Sequence, residues 1–217
     1  MNLNRLARNA ALTLGLVLFS CVGVRAQEQG VIDDPDGYTN VRSKPDTSAP
    51  VVAKVNTGEV FTYETEGIPQ YPKWLKVTLP SGKTGWMHAS RIVIRGNMEE
   101  LKDGSPTDEI NIYGKGKGID YYPLARAAAR GEQNAMVQYF GIDDTDGAAA
   151  ETHFSVLRSV IHLLGDDKLS AFLKTRTAQY RKHLWENLEV ELTFWPFEPT
   201  EYLNRHFPKS VKLLIPE

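Results

Sequence analysis

The spacing of apolar residues changes character once along this chain, and that change constrains the fold more than any other feature. Between Gly30 and Arg95, short runs rich in β-branched and aromatic residues alternate apolar with polar side chains. They are Val51-Val52-Ala53-Lys54-Val55, Val60-Phe61-Thr62-Tyr63, Trp74-Leu75-Lys76-Val77-Thr78-Leu79 and Arg91-Ile92-Val93-Ile94. A period of two places every second side chain on one face of a strand. Turn chemistry separates the runs at Asp34-Pro35-Asp36-Gly37, Asn56-Thr57-Gly58 and Pro80-Ser81-Gly82-Lys83, where glycine supplies the positive φ that tight turns need. Strands this short and closely joined cannot cover their apolar faces as one flat sheet, so residues 30–95 are predicted to curl into a small barrel. Val41, Val55, Val60, Leu75, Val77, Leu79 and Met87 are its expected inward positions, and Asp36 and Asn40 are expected to fasten turns.

From Asp120 onward the apolar period is that of helices. Leu124 to Arg130 ends at Gly131, Glu132 to Phe140 ends at Gly141, and a longer stretch after Asp146 carries Ala149, His153, Val156, Leu157, Val160, Ile161 and Leu164 before Gly165. Asp166 is expected to cap the next helix, and Tyr180, Leu184 and Leu188 continue the stripe. Pro199 starts a last short helix that Phe207-Pro208 ends. The expected class is therefore multidomain, all-β followed by all-α: a small barrel over 30–95, then a helical bundle or short helical-repeat domain over 119–217. Residues 96–118, with Gly114-Lys115-Gly116-Lys117-Gly118, read as a flexible linker in which Ile110 to Tyr113 forms at most a short strand.

Residues 1–26 have the layout of a secretory signal: Arg5 and Arg8 precede an uncharged apolar stretch from Ala10 to Val24, and Ala26 follows as the cleavage position. Leu18-Phe19-Ser20-Cys21 offers a rival exit, with lipid on Cys21 anchoring the chain to a membrane. The expected location is periplasmic or secreted, with a membrane-anchored lipoprotein as the alternative. Cys21 is the only cysteine, so a chain cut after Ala26 has no disulfide, thiol nucleophile or thiolate metal site. The chain has 25 basic residues and 27 acidic ones. A leader carrying Arg5, Arg8 and Arg25 and no acid leaves the remainder net negative, which argues against nucleic acid as a partner. No later apolar run approaches the ~20 residues of a membrane helix.

The order Asp36-Gly37-Tyr38-Thr39-Asn40-Val41-Arg42-Ser43-Lys44-Pro45, Val51-Val52, Gly58-Glu59, Trp74-Leu75-Lys76-Val77 and Gly82-Lys83-Thr84-Gly85-Trp86-Met87-His88 resembles the bacterial SH3 (SH3b) family. Thr39, Asp46 and Met87 depart from its pattern. An insertion, Glu66 to Pro72, is positioned to reshape any groove beside it. The resemblance implies a binding module for cell-wall peptide or another extracytoplasmic ligand. The aromatic set Tyr38, Tyr63, Tyr71, Trp74 and Trp86, with Asn40, Arg42 and His88, is the candidate ligand-binding surface, since alternation sends some of these rings outward.

No catalytic residues are assigned. The chain lacks a Gly-x-Ser-x-Gly elbow, and none of His88, His153, His162, His183 and His206 is paired at His-Glu-x-x-His spacing. Asp143, Asp144 and Asp146 are read as helix-capping charge rather than a calcium loop. No cofactor or metal is expected. The leading expectation is an exported, non-enzymatic protein binding peptide, peptidoglycan or an envelope protein. The alternatives are an assembly adaptor working through the helical region and an unrecognised hydrolase using Glu151, His153 and Glu189.

Overall fold

The computed structural model describes residues 27–192 and 195–215. The expected leader, with Cys21 and Ala26, lies outside the described residues. Seven strands, β1 (Gln27–Ile32), β2 (Tyr38–Arg42), β3 (Val51–Asn56), β4 (Phe61–Glu64), β5 (Trp74–Thr78), β6 (Thr84–His88) and β7 (Ile92–Ile94), form one antiparallel sheet in the order β3-β2-β6-β5-β4-β1-β7. The β region thus begins at Gln27, three residues earlier than the alternation suggested, because Gln27 to Gly30 pair with β4.

The period of two sorts the side chains as expected. Val41, Val55, Leu75, Val77 and Met87 are buried, joined by Phe61, Tyr63 and Ile92, while Val60 and Leu79 are half-buried. Gly85 permits the tight crossing of β6 over β2: a Cβ there would lie 2.5 Å from the Val41 side chain and 2.8 Å from the Arg42 carbonyl. The first turn is fastened by Asp34 rather than Asp36. Its Oδ1 accepts the Asp36 N–H at 3.1 Å and its Oδ2 the Thr39 hydroxyl at 2.8 Å.

Among the described residues seven α-helices follow: α1 (Glu109–Lys117), α2 (Tyr121–Arg130), α3 (Gln133–Tyr139), α4 (Gly147–Lys174), α5 (Ala178–Leu192), α6 (Pro199–His206) and α7 (Pro208–Leu214). α2 and α3 make a hairpin whose turn is Gly131 at φ 89°, the left-handed position that glycine occupies without a Cβ penalty. α4 is the central helix; Val156, Leu157, Val160 and Ile161 are buried, and Gly165 bends it by leaving helical φ/ψ.

The segment 96–118 is not a flexible linker. Met98–Leu101 is a 3-10 turn and Glu109–Lys117 is α1, so the strand expected at Ile110 to Tyr113 is helical. Leu101 and Ile110 are wholly buried, and the Arg126 guanidinium donates to the Leu101 carbonyl at 2.7 Å. The glycines that suggested flexibility have packing roles. A Cβ on Gly114 would sit 2.7 Å from the Ile119 carbonyl, and one on Gly96 would sit 2.8 Å from the Leu163 backbone nitrogen in α4.

Asp166 also has a different role from the one expected. Its carboxylate accepts the N–H groups of Lys209 at 3.0 Å and Ser210 at 2.8 Å, so it caps α7, more than forty residues away in sequence. Pro208, read as a stop, opens that helix at its first turn, where the missing N–H costs nothing.

The barrel and the helices share one hydrophobic core. Phe197 meets Tyr63 edge-on at 5.9 Å and stacks on Tyr202 at 5.0 Å. Trp195 and Phe197 are core residues. Around this contact, Arg158 of α4 pairs with Glu28 of β1 at 3.0 Å, and the Ser159 hydroxyl accepts the Asn97 N–H at 3.2 Å.

Candidate functional site

The outward positions of three neighbouring strands make a single surface. On β2 these are Tyr38, Asn40 and Arg42; on β6, Trp86 and His88; on β5, Trp74 and Lys76. Strand register brings them together. Arg42 lies opposite Trp86, Trp86 opposite Lys76, and Trp74 opposite His88. Side chains directly opposite on one face of an antiparallel pair are close enough to act as a unit.

The row through Trp86 is flanked by fixed charges. The Arg42 guanidinium donates to the Ala49 carbonyl at 2.8 Å, and the Lys76 ammonium donates to Glu64 at 2.9 Å. Both long side chains are thereby held against the sheet and leave the half-buried indole between them. Beside this row, the Trp74 and His88 rings meet edge-to-face at 5.3 Å. Farther along β2, Lys54 stands 3.9 Å over the exposed ring of Tyr38, a cation–π contact that holds the phenol in place.

His88 has a defined tautomer. Its Nδ1 accepts the Ser90 N–H at 3.3 Å and lies 2.8 Å from the Ser90 hydroxyl, so the proton of the neutral ring is on Nε2. Burial first, and then the Arg205 charge, hold its pKa below the ordinary histidine value.

Of the eight expected ligand residues, Tyr38, Asn40, Arg42, Trp74, Trp86 and His88 share this face. Tyr71 lies at its margin, in the loop between β4 and β5, where the barrel meets α6. Its φ is 52°, a left-handed conformation that costs a non-glycine residue about 1–3 kcal/mol. Tyr63 does not belong to the set. Its strand position points inward, it is 1% exposed, and its hydroxyl is buried without a hydrogen-bond partner among the described residues. The Asn40 Oδ1 is likewise buried without a partner and fastens no turn. Lys76 was overlooked, although its place between Trp74 and Thr78 in the alternation was enough to find it.

The helical region does not gather the acid–base candidates. Glu151 and Glu189 are exposed, whereas His153 is buried with Nδ1 2.9 Å from the Tyr121 hydroxyl. Among the described residues no group of three or more His, Cys, Asp or Glu side chains is placed to hold a metal ion. No helix among them is long and apolar enough to cross a membrane.

Residues 37–93 match the family model of the bacterial SH3 domain. The match runs from the turn before β2 into β7 and ends before the helices begin. No curated protein matches the chain as a relative.

Proposed function

We propose that this is an exported, non-enzymatic binding protein whose SH3 barrel recognises a peptide or peptidoglycan fragment of the cell envelope, with the helical region as its rigid support. The observation that carries the reading is the row Arg42–Trp86–Lys76 beside the Trp74–His88 pair: rings held outward, flanked by donors, on one continuous sheet face. Such a face suits amide-rich ligands, because an aromatic plane covers apolar atoms while neighbouring N–H groups meet carbonyls. The shared core favours support over a tethered, independently moving helical domain.

The test is co-sedimentation of the purified protein with insoluble peptidoglycan. The expected result is retention of the wild type and a loss of at least about tenfold in affinity for a Trp86→Ala, Arg42→Ala variant, as truncation of a central Trp/Arg pair produces. Equal retention of the variant, with an unchanged melting profile, overturns the assignment of this face.

A further inference from the structure

A cleft of about 100 Å³ lies where the barrel meets α6. One wall is the end of the β4–β5 insertion and the end of β6, including Tyr71, Lys73 and His88; the other is α6 and its approach, including Glu198, Glu201 and Arg205. The cleft opens beside the candidate face, because His88 lines it while meeting Trp74 edge-on. α6 lies outside the SH3 match, so this wall is supplied by the helical region.

Its polar groups are of both signs and several are unengaged. Arg205 is spent on the cleft itself, donating to the Ser90 carbonyl at 2.5 Å and to Glu201 Oε1 at 3.0 Å. That leaves the second oxygen of Glu201 without a partner among the described residues. Glu198 adds a second negative charge beside it, with its oxygens turned to the Thr200 and Glu201 N–H groups. On the barrel wall, Lys73 has no ion-pair partner among the described residues, and the Nε2–H of His88 has no acceptor there.

We propose that this cleft is a second subsite for the ligand of the barrel face. It takes one amino-acid-sized group carrying both an ammonium and a carboxylate, the ammonium against Glu201 and Glu198 and the carboxylate against Lys73 and the His88 Nε2–H. The inference rests on the reading of the face given above and adds the helical region to the binding site. Size sets the group: at roughly 10–15 Å³ per water molecule, the cleft holds on the order of eight non-hydrogen atoms, fewer than a substituted sugar ring. Charge sets its chemistry. A simple anion meets the carboxylates of Glu198 and Glu201, a simple cation meets Lys73 and Arg205, and a group with both charges is complementary to both walls.

Calorimetry with two synthetic tripeptides tests this. One ends in lysine with its ε-ammonium and carboxylate free; the other is acetylated on that ammonium and amidated at the C-terminus. The full protein is expected to bind the free peptide about tenfold more tightly than the blocked one, the scale of charge-assisted hydrogen bonds. Lys73→Gln, Glu201→Gln, both on exposed side chains, is expected to reduce that ratio below about twofold while leaving affinity for the blocked peptide unchanged; Trp86→Ala is expected to weaken both peptides alike. Equal wild-type affinity for the two peptides, with Trp86→Ala still weakening both, overturns the subsite and leaves the face standing. Failure of the wild type to bind either peptide overturns both.

Discussion

The Tyr202 hydroxyl and the His162 imidazole, 2.8 Å apart, close a hydrogen-bond chain that joins the SH3 barrel to the helices. His162 Nδ1 is 2.7 Å from the Arg158 carbonyl, which can only accept, so the ring proton is there and Nε2 accepts from Tyr202. Tyr202 in turn accepts the Ile94 N–H at 2.9 Å. Three elements, β7, α6 and α4, are thus fixed by one side-chain pair.

Removing the hydroxyl should expose how much the two regions depend on each other. In Tyr202→Phe the Ile94 N–H and His162 Nε2 are left buried and unpaired, at about 1–3 kcal/mol each. We expect a loss of about 3 kcal/mol in urea unfolding, with barrel and helix signals still disappearing in one transition. Two separate transitions would show that the shared core does not couple the regions.

Two buried histidines give the fold a pH dependence. Burial pushes the pKa of His162 down to about 3 and that of His153 down to about 4, from an ordinary value of 6.5. Both are neutral when folded, so between these values and 6.5 the unfolded chain binds more protons. Stability is therefore full above pH 6.5 and falls as pH drops, by up to about 1.4 kcal/mol per pH unit for each histidine. Denaturation free energies measured from pH 7.5 to 5.5, where ordinary carboxylates stay largely ionised, should show this decline. A flat profile would contradict the burial of both rings.

Tyr63 carries a hydroxyl that its surroundings do not satisfy. Burial raises its pKa, so it stays protonated, and it makes no hydrogen bond among the described residues. Tyr63→Phe removes the unpaired group and keeps the ring against Phe197, so we expect stability to be unchanged or raised by about 1 kcal/mol. Peptidoglycan retention should be unaltered; a loss of binding with the fold intact would return Tyr63 to the ligand set.

Asp166 holds the start of α7 from a distance. Asp166→Ala removes acceptors for Lys209 and Ser210 N–H and for the Ser210 hydroxyl, which lies 2.7 Å from Oδ1. Loss of a helix cap costs about 1–2 kcal/mol. Faster amide exchange at Lys209 and Ser210, with α5 unaffected, is the expected signature.

Local spacing alone determined a good deal of this protein: the alternation that buries Val41, Leu75, Val77 and Met87, the glycine at the α2–α3 turn, and the six side chains that share the barrel face. These follow from a period of two or of three and four, which is a property of neighbours in the chain. Tertiary structure decided the rest. Gly96 and Gly114 look like flexible spacers until α4 and Ile119 press against them, Asp166 caps a helix whose start lies far along the chain, and the wall of Glu198, Glu201 and Arg205 meets the barrel where Phe197 packs on Tyr63 and Tyr202 stacks on Phe197. Those roles depend on which surfaces exclude water together, and contacts between residues so distant in sequence leave no period to read.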